Sequence, residues 1–287
     1  MDWLQALVLG IVQGLSEYLP VSSSGHLEIF KQILGMEMEG AESLQFDVVL
    51  HVATVLSTIV VLWREFVPLV TSFFGFKRDD NFYYVLKLLV SCVPILFVGL
   101  LFKDQIDELF NGNLLIVGIC LIITAMLLSF TYFSRTEPEK ELRSEGIVYK
   151  GHDITWLDAF IIGCAQAVAV LPGLSRSGST IATGLLLGDR RDKVAQFSFF
   201  MVVIPILGEA LLDSKKIIFG SDSVTAAQAQ SVELMPMIVG FVAAFVVGCM
   251  ACRWMIDLVK KGKLIWFAVY CAAAGILSIV WQLTHAA

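Results

Sequence analysis

The sequence predicts an all-α, polytopic membrane protein made of two inverted copies of one unit. Three observations carry that prediction. The 287-residue chain is 57% hydrophobic, has a mean hydropathy of +0.79, and is only 16% charged, whereas a soluble domain is about half apolar and about a quarter charged. Its apolar runs are separated by short polar loops, and several reach the ~20 residues that cross a bilayer as a helix. The two halves also repeat. A shift of 153 positions places Trp3 on Trp156, Leu4 on Leu157, Ala6 on Ala159, Gly10 on Gly163, Gln13 on Gln166, Ser22 on Ser175, Ser24 on Ser177 and Gly25 on Gly178.

The elements follow in order. An apolar helix over about 3–12 meets a polar stretch, and a short helix over about 25–34 leaves it. Neither piece can span a bilayer alone, so together they read as a re-entrant hairpin. An acidic loop (Glu37, Glu39, Glu42) leads to spans at about 46–63, 83–102 and 114–133, with residues 64–82 read as a loop. The charged segment 135–153 is the natural linker. The second half has its own hairpin at about 154–187 and spans at about 194–212, 235–252 and 264–283. The chain thus divides into a first repeat (1–134), the linker, and a second repeat (154–287). Three crossings per half are odd in number, so the second half starts from the opposite side. This is the inverted-repeat plan, with the functional site expected where the repeats meet.

Charge sets the expected orientation. The side holding the 64–82 loop and the linker carries most of the Lys and Arg, which makes it cytoplasmic by the positive-inside rule and puts both termini outside. Lys87 sits one turn inside that face and can snorkel to it; Arg176 cannot. The start, Met1-Asp2-Trp3-Leu4, lacks the basic region of a cleaved signal, so the first apolar segment is expected to be retained. The net charge of −6 is confined to loops and gives no reason to expect a nucleic-acid partner. The six cysteines all fall in apolar segments and read as small core residues; the Cys249-x-x-Cys252 pair has no second ligand pair for zinc. Trp3, Trp156 and Trp281 read as interfacial anchors. Asp47 and His51, one turn apart at the outer end of a span, read either as lining the entrance or as polar residues facing the interface; Glu209, within a span near its outer end, reads as facing the repeat interface and is given no role.

Two polar stretches stand out: Gln13-Gly-Leu-Ser-Glu17-Tyr-Leu-Pro20-Val-Ser22-Ser23-Ser24-Gly25-His26, and Pro172-Gly173-Leu-Ser175-Arg176-Ser177-Gly178-Ser179-Thr180. Polar groups at membrane depth are costly and mark function. A broken backbone is tolerated there only inside protein or beside water. Arg176 needs an anion. Glu17 alone would make a pinning ion pair, but that leaves the hydroxyls around it unexplained. A guanidinium among hydroxyl donors suits phosphate. Each stretch also precedes a short helix, whose N-terminus favours an anion, and Gly25 and Gly178 allow close backbone approach to a ligand. Two such helix starts suit a diphosphate. Glu17, with Gln13 one turn earlier, could hold a divalent cation. A serine of the Ser22–Ser24 run could attack phosphorus, with His26 as base or proton shuttle.

The pattern Q-x-x-x-E leading into P-V-S-S-S-G-H, followed by P-G-L-S-R-S-G-S-T, resembles the bacterial undecaprenyl pyrophosphate phosphatase (bacitracin-resistance) family over essentially the whole chain. The resemblance implies a multi-pass inner-membrane hydrolase that removes the terminal phosphate of undecaprenyl pyrophosphate. That step recycles the carrier for peptidoglycan synthesis and confers bacitracin resistance, the antibiotic meeting the protein only indirectly through the shared lipid. The resemblance also implies dependence on Mg²⁺ or Ca²⁺, Gln13 and Glu17 in the acidic motif, Ser23 as nucleophile, His26 as acid/base and Arg176 as phosphate clamp. Ser22, Ser24, Gly25, Ser175, Ser177 and Thr180 fill the supporting positions of the substrate site, which opens to the extracytoplasmic side. A second copy of the chain is a candidate partner. The competing class is a transporter or flippase for a prenyl phosphate or other anion. Type 2 phosphatidic acid phosphatases share an S-G-H and an S-R element but need a later histidine. Here only His285, at the chain end, follows.

Overall fold

The structure is a computed structural model that describes residues 1–36, 41–102, 114–134, 151–219 and 234–285, with the side chains of 41, 42, 44, 209–219 and 285 left aside. Glu37, Glu39, most of the 135–153 linker and the side chains of Glu42 and Glu209 therefore lie outside the described residues. The chain is all-helical, its one described β contact being an isolated bridge between His152 and Asp189. The first half contains α1 (Trp3–Ser16), α2 (Ser23–Ile33), α3 (Ala41–Val61), α4 (Trp63–Phe74), α5 (Asp80–Leu101) and α6 (Leu114–Phe133). The second contains α7 (Trp156–Val168), α8 (Arg176–Leu187), α9 (Arg191–Phe219), α10 (Leu234–Lys260) and α11 (Ile265–His285). Among the described residues, α5, α6, α10 and α11 are each long and apolar enough to cross a membrane, and α3 and α4 qualify together as one bent pair. This is a polytopic membrane protein.

The repeat is visible in matched starts and matched contacts. In α1 the Asp2 N–H donates to Gln5 Oε1 (2.9 Å), and in α7 the Thr155 N–H donates to Asp158 Oδ2 (2.8 Å). Both bonds satisfy a donor that a helix start would leave unpaired. Each short first helix packs on a long helix of the other half, α1 on α10 and α7 on α5. The α6–α11 contact is reciprocal: a Cβ on Gly118 would lie 2.7 Å from the Gly275 carbonyl oxygen, and a Cβ on Gly275 would lie 2.7 Å from that of Gly118. Such mutual contact is the signature of a two-fold relation. Small residues at the crossing let the two backbones touch where no hydrophobic force acts in lipid.

The first half departs from expectation after α3. Residues 64–74, read as part of a loop, belong to a helix, Trp63–Phe74, bent 92° from α3. Its Arg64, Glu65 and Pro68 look like loop residues. Leu69, however, is buried, and the Phe66 ring packs 6.2 Å from that of Phe200. The segment is amphipathic, and core burial outweighs the cost of an internal proline. Lys87 also does more than snorkel. Its ammonium donates to the Ile154 carbonyl (2.6 Å) and lies over the Trp156 ring, tying α5 to the start of the second repeat. Trp3, Trp156 and Trp281 are all exposed, as anchors should be, and the six cysteines are free thiols.

Candidate active site

Pro20 and Pro172-Gly173 stop α1 and α7 short, because proline cannot donate to the preceding turn and disfavours helix before it. The chain restarts with a serine cap on each side. Ser22 Oγ accepts from the Gly25 N–H (3.3 Å), and Ser175 Oγ from the Gly178 N–H (3.0 Å). Ser22 holds φ at +71°, a conformation rare for a residue with a side chain. The two tips then meet face to face. A Cβ on Gly25 would stand 3.0 Å from Gly173 Cα, and one on Gly178 would stand 3.3 Å from Pro20 Cβ. Positions 25 and 178, and 20 and 173, are related by the repeat, so this contact also obeys the two-fold relation. The sequence assigned these glycines to close approach of a ligand. What they admit in the structure is the opposite hairpin. Ser177 Oγ adds a bond across the seam to the Leu19 carbonyl (3.1 Å).

Glu17 is the hub of this seam. Its Oε1 accepts from Arg176 across the two halves (3.2 Å). Its Oε2 accepts from Ser23 Oγ (2.6 Å) and Gln13 Nε2 (2.9 Å), and His51 Nε2 lies 3.7 Å from it. The side chain of Glu17 is 8% exposed and that of Arg176 24%. Breaking a buried pair by removing one partner costs about 3–5 kcal/mol, because the other charge is left uncompensated. Beside the pair lies a cavity of about 20 Å³, lined on its polar side by Glu17, Arg176, Ser177, Thr180 and Gln166. That volume holds about one water.

A family model described as bacitracin resistance protein BacA matches residues 6–277. The chain belongs to this family. A Bacteroides fragilis protein named undecaprenyl-diphosphatase is 54% identical over 280 residues, 98% of each chain. One of the same name from Bacteroides thetaiotaomicron is 53% identical over 283 residues, 99% of this chain and 100% of its own. Another, from Carboxydothermus hydrogenoformans, is 37% identical over 283 residues, 98% of each.

In this BacA-family chain the residues singled out by sequence fall into three groups. Glu17, Ser23, Arg176 and Gln13 come together in one hydrogen-bonded cluster. Ser22 and Ser175 cap helices; Ser24 Oγ lies 3.4 Å from Ser22 Oγ, and Thr180 bonds Ser198 Oγ (2.6 Å) and its own helix. His26 stands apart. Its Nδ1 meets the Ser22 carbonyl oxygen (2.8 Å) and its Nε2 the Tyr270 hydroxyl (2.7 Å), with the two rings stacked. Both ring nitrogens are engaged away from Ser23, and the group that touches the Ser23 hydroxyl is Glu17.

Of the two readings of His51, the structure agrees with the one that turns it toward the site: its Nε2 lies 3.7 Å from Glu17 Oε2, its Nδ1 fixed by the Asp47 carbonyl oxygen (2.7 Å). Sequence reasoning missed Tyr18. Tyr18 bonds the Thr54 carbonyl (2.6 Å) and the hydroxyls of Ser57 and Thr58, holding α3 against the hairpin. A signal for both exists, since Asp47, His51, Thr54 and Thr58 recur at helical spacing on one face of α3.

Proposed function

We propose that the chain hydrolyses the terminal phosphate of undecaprenyl pyrophosphate, with Glu17 as the base for Ser23. The observation that carries this reading is the Ser23 Oγ–Glu17 Oε2 hydrogen bond beside a cationic guanidinium from the other repeat. The names of the relatives supply the substrate. The Ser23 oxygen attacks the terminal phosphorus while its proton passes to Glu17. The P–Oγ bond forms, and the bond to the bridging oxygen breaks, releasing the prenyl monophosphate. The proton on Glu17 passes to the departing monophosphate, which frees the carboxylate. Glu17 then takes a proton from a water that attacks the phosphoserine; the P–Oγ bond breaks, the proton returns to Ser23 Oγ, and inorganic phosphate leaves. Arg176 exchanges Glu17 for the phosphate oxygens, its planar fork matching them better than an ammonium would. His26, held between Ser22 and Tyr270, sets the backbone of the serine run.

A divalent cation, Mg²⁺ or Ca²⁺, fits the residues present. Gln13 Oε1 is a buried acceptor with no hydrogen-bond partner among the described residues, on the same amide whose Nε2 donates to Glu17 Oε2 (2.9 Å). Two protein oxygens, completed by phosphate and water, suit a hard ion. Gln13 and Glu17 would hold it, and it would neutralise charge on the phosphoryl group. The distribution of basic residues supports a chain in the inner membrane of a bacterium with a cytoplasmic linker, both termini outside and the site open to the extracytoplasmic side. Bacitracin resistance follows indirectly from recycling the lipid; a homodimer is the remaining partner proposed.

Purified protein in detergent, given Mg²⁺ or Ca²⁺ and a prenyl pyrophosphate, should release phosphate and stop with excess chelator. Lipid transfer across vesicles without any phosphate release would support the transporter reading instead.

A further inference from the structure

The open end of the second hairpin gathers three side chains that the proposed chemistry does not use. His152, Asp158 and Asp189 each offer one ligand atom, and these atoms all lie within 4.8 Å of one another. Asp189 stands just past the left-handed Gly188 that ends α8. Its side chain is fully buried, and neither carboxylate oxygen has a hydrogen-bond partner among the described residues. His152 Nδ1 approaches Asp189 Oδ1 to 3.2 Å and Asp158 Oδ2 to 3.9 Å. The histidine's other nitrogen, Nε2, is 3.0 Å from the Leu187 carbonyl oxygen. A metal-bound histidine is usually oriented in this way, by donating its free N–H to a carbonyl.

The backbone shows that this corner is built, not incidental. The His152 N–H donates to the Gly188 carbonyl (3.1 Å) and the Arg190 N–H to that of His152 (2.9 Å). A Cβ on Gly151 would sit 2.6 Å from the Gly188 carbonyl oxygen, so only glycine admits the approach. The first hairpin provides a control. Asp158 and Asp189 correspond by the repeat to Gln5 and Met36, and there the mouth closes with a neutral bond from Gln5 Nε2 to the Leu34 carbonyl (3.4 Å). The second hairpin thus places two buried carboxylates and an imidazole where the first has an amide and a thioether. Two carboxylates this close need a cation between them or a proton on one. Burial, with the facing Asp158 carboxylate, pushes Asp189 up to about 7, while His152 and Lys87 pull it the other way.

We infer that His152 Nδ1, Asp158 and Asp189 form a binding site for a divalent first-row transition ion that staples the mouth of the second hairpin. One imidazole nitrogen and two carboxylates suit such an ion, with water filling the open positions on the half-exposed histidine side. The ion would fix α8 at its C-terminal end, about 18 Å from Arg176 at the other, given 1.5 Å of rise per residue. The alternative is a protonated imidazole doing the same job, Nδ1 donating to the Asp153 carbonyl 3.2 Å away.

Zn²⁺ titration separates the two. The parent should be the detergent-purified full chain carrying Glu17→Gln, so that the active-site carboxylate contributes nothing. The expected result is one Zn²⁺ per chain and a rise in melting temperature. Both His152→Ala and Asp189→Asn should weaken binding by about 100-fold or more, since even orienting partners of metal ligands are worth 10–100-fold. Should Asp189→Asn fail to fold, the half-exposed His152 carries the test. No saturable binding in the parent, or equal binding and equal stabilisation in His152→Ala, would overturn the site and leave the imidazolium clasp.

Discussion

The two re-entrant hairpins share one backbone plan and divide its chemistry. Each has a capped first helix, a proline break, a serine cap and a short second helix. At the matched tips the first carries Glu17, Ser23 and His26, while the second carries Arg176 and extra hydroxyls. The first holds the carboxylate and the serine bonded to it, and the second the cation. Duplication preserved what packing requires, such as the Gly25 and Gly178 contacts at the seam. It released what chemistry requires, because a site made of two identical tips would oppose like charges. The lesson is that the pseudo-symmetry is structural and the asymmetry is functional.

That comparison can be broken from either side. The largest effect should come from the first tip. Glu17→Gln removes both the acceptor for the Ser23 proton and the anionic partner of Arg176, and phosphate release should fall by about 10²–10⁴-fold, the usual worth of a general base. A variant within a few-fold of wild type in a malachite-green assay would remove Glu17 from the chemistry. On the second tip, Arg176→Lys should cost about 100-fold or more in kcat, as loss of one charge-stabilising donor does in a shielded site. Full activity in the lysine variant would mean that charge alone suffices.

The next effect is on folding. Gly173, the counterpart of Pro20, has φ +89°, and a Cβ there would stand 2.5 Å from the Val117 carbonyl oxygen. Gly173→Ala should therefore destabilise the detergent-purified protein by more than the ~1–2 kcal/mol that left-handed backbone costs a side chain, visible as a lower melting temperature. Pro20→Gly should be much milder, and equal effects at both positions would show that the tips are not differently built. The smallest effect should be at His51. At 3.7 Å from Glu17 Oε2 it offers a weak contact, so His51→Ala should cost about two- to fivefold in kcat/KM.

Much of this was legible in the sequence. The repeat register and the odd number of spans brought Glu17 and Arg176 together on paper although they lie 159 residues apart. The motif around Ser23 pointed to a hydroxyl that the structure finds hydrogen-bonded to Glu17. The α4 helix was hidden because Arg64, Glu65 and Pro68 outweigh its apolar face until Phe200 is seen beneath it. The role of His51 stayed open in the sequence because a polar residue near a span end looks the same whether it faces headgroups or a site. The cluster at His152, Asp158 and Asp189 was hidden more deeply, since its members meet only once the hairpin has closed. His26 was read as a base or proton shuttle from its nearness in sequence to Ser23; what the sequence did not show is that its ring nitrogens meet the Ser22 carbonyl and the Tyr270 hydroxyl.

The division of labour between the tips is tested most directly by rapid-quench trapping with prenyl pyrophosphate labelled in its terminal phosphate. Wild-type protein should yield acid-stable phosphoserine at Ser23 within a single turnover, and Ser23→Ala should bind the substrate yet form none and release no phosphate. Continued turnover by Ser23→Ala, with no labelled protein in the wild type, would contradict the account and make water the nucleophile.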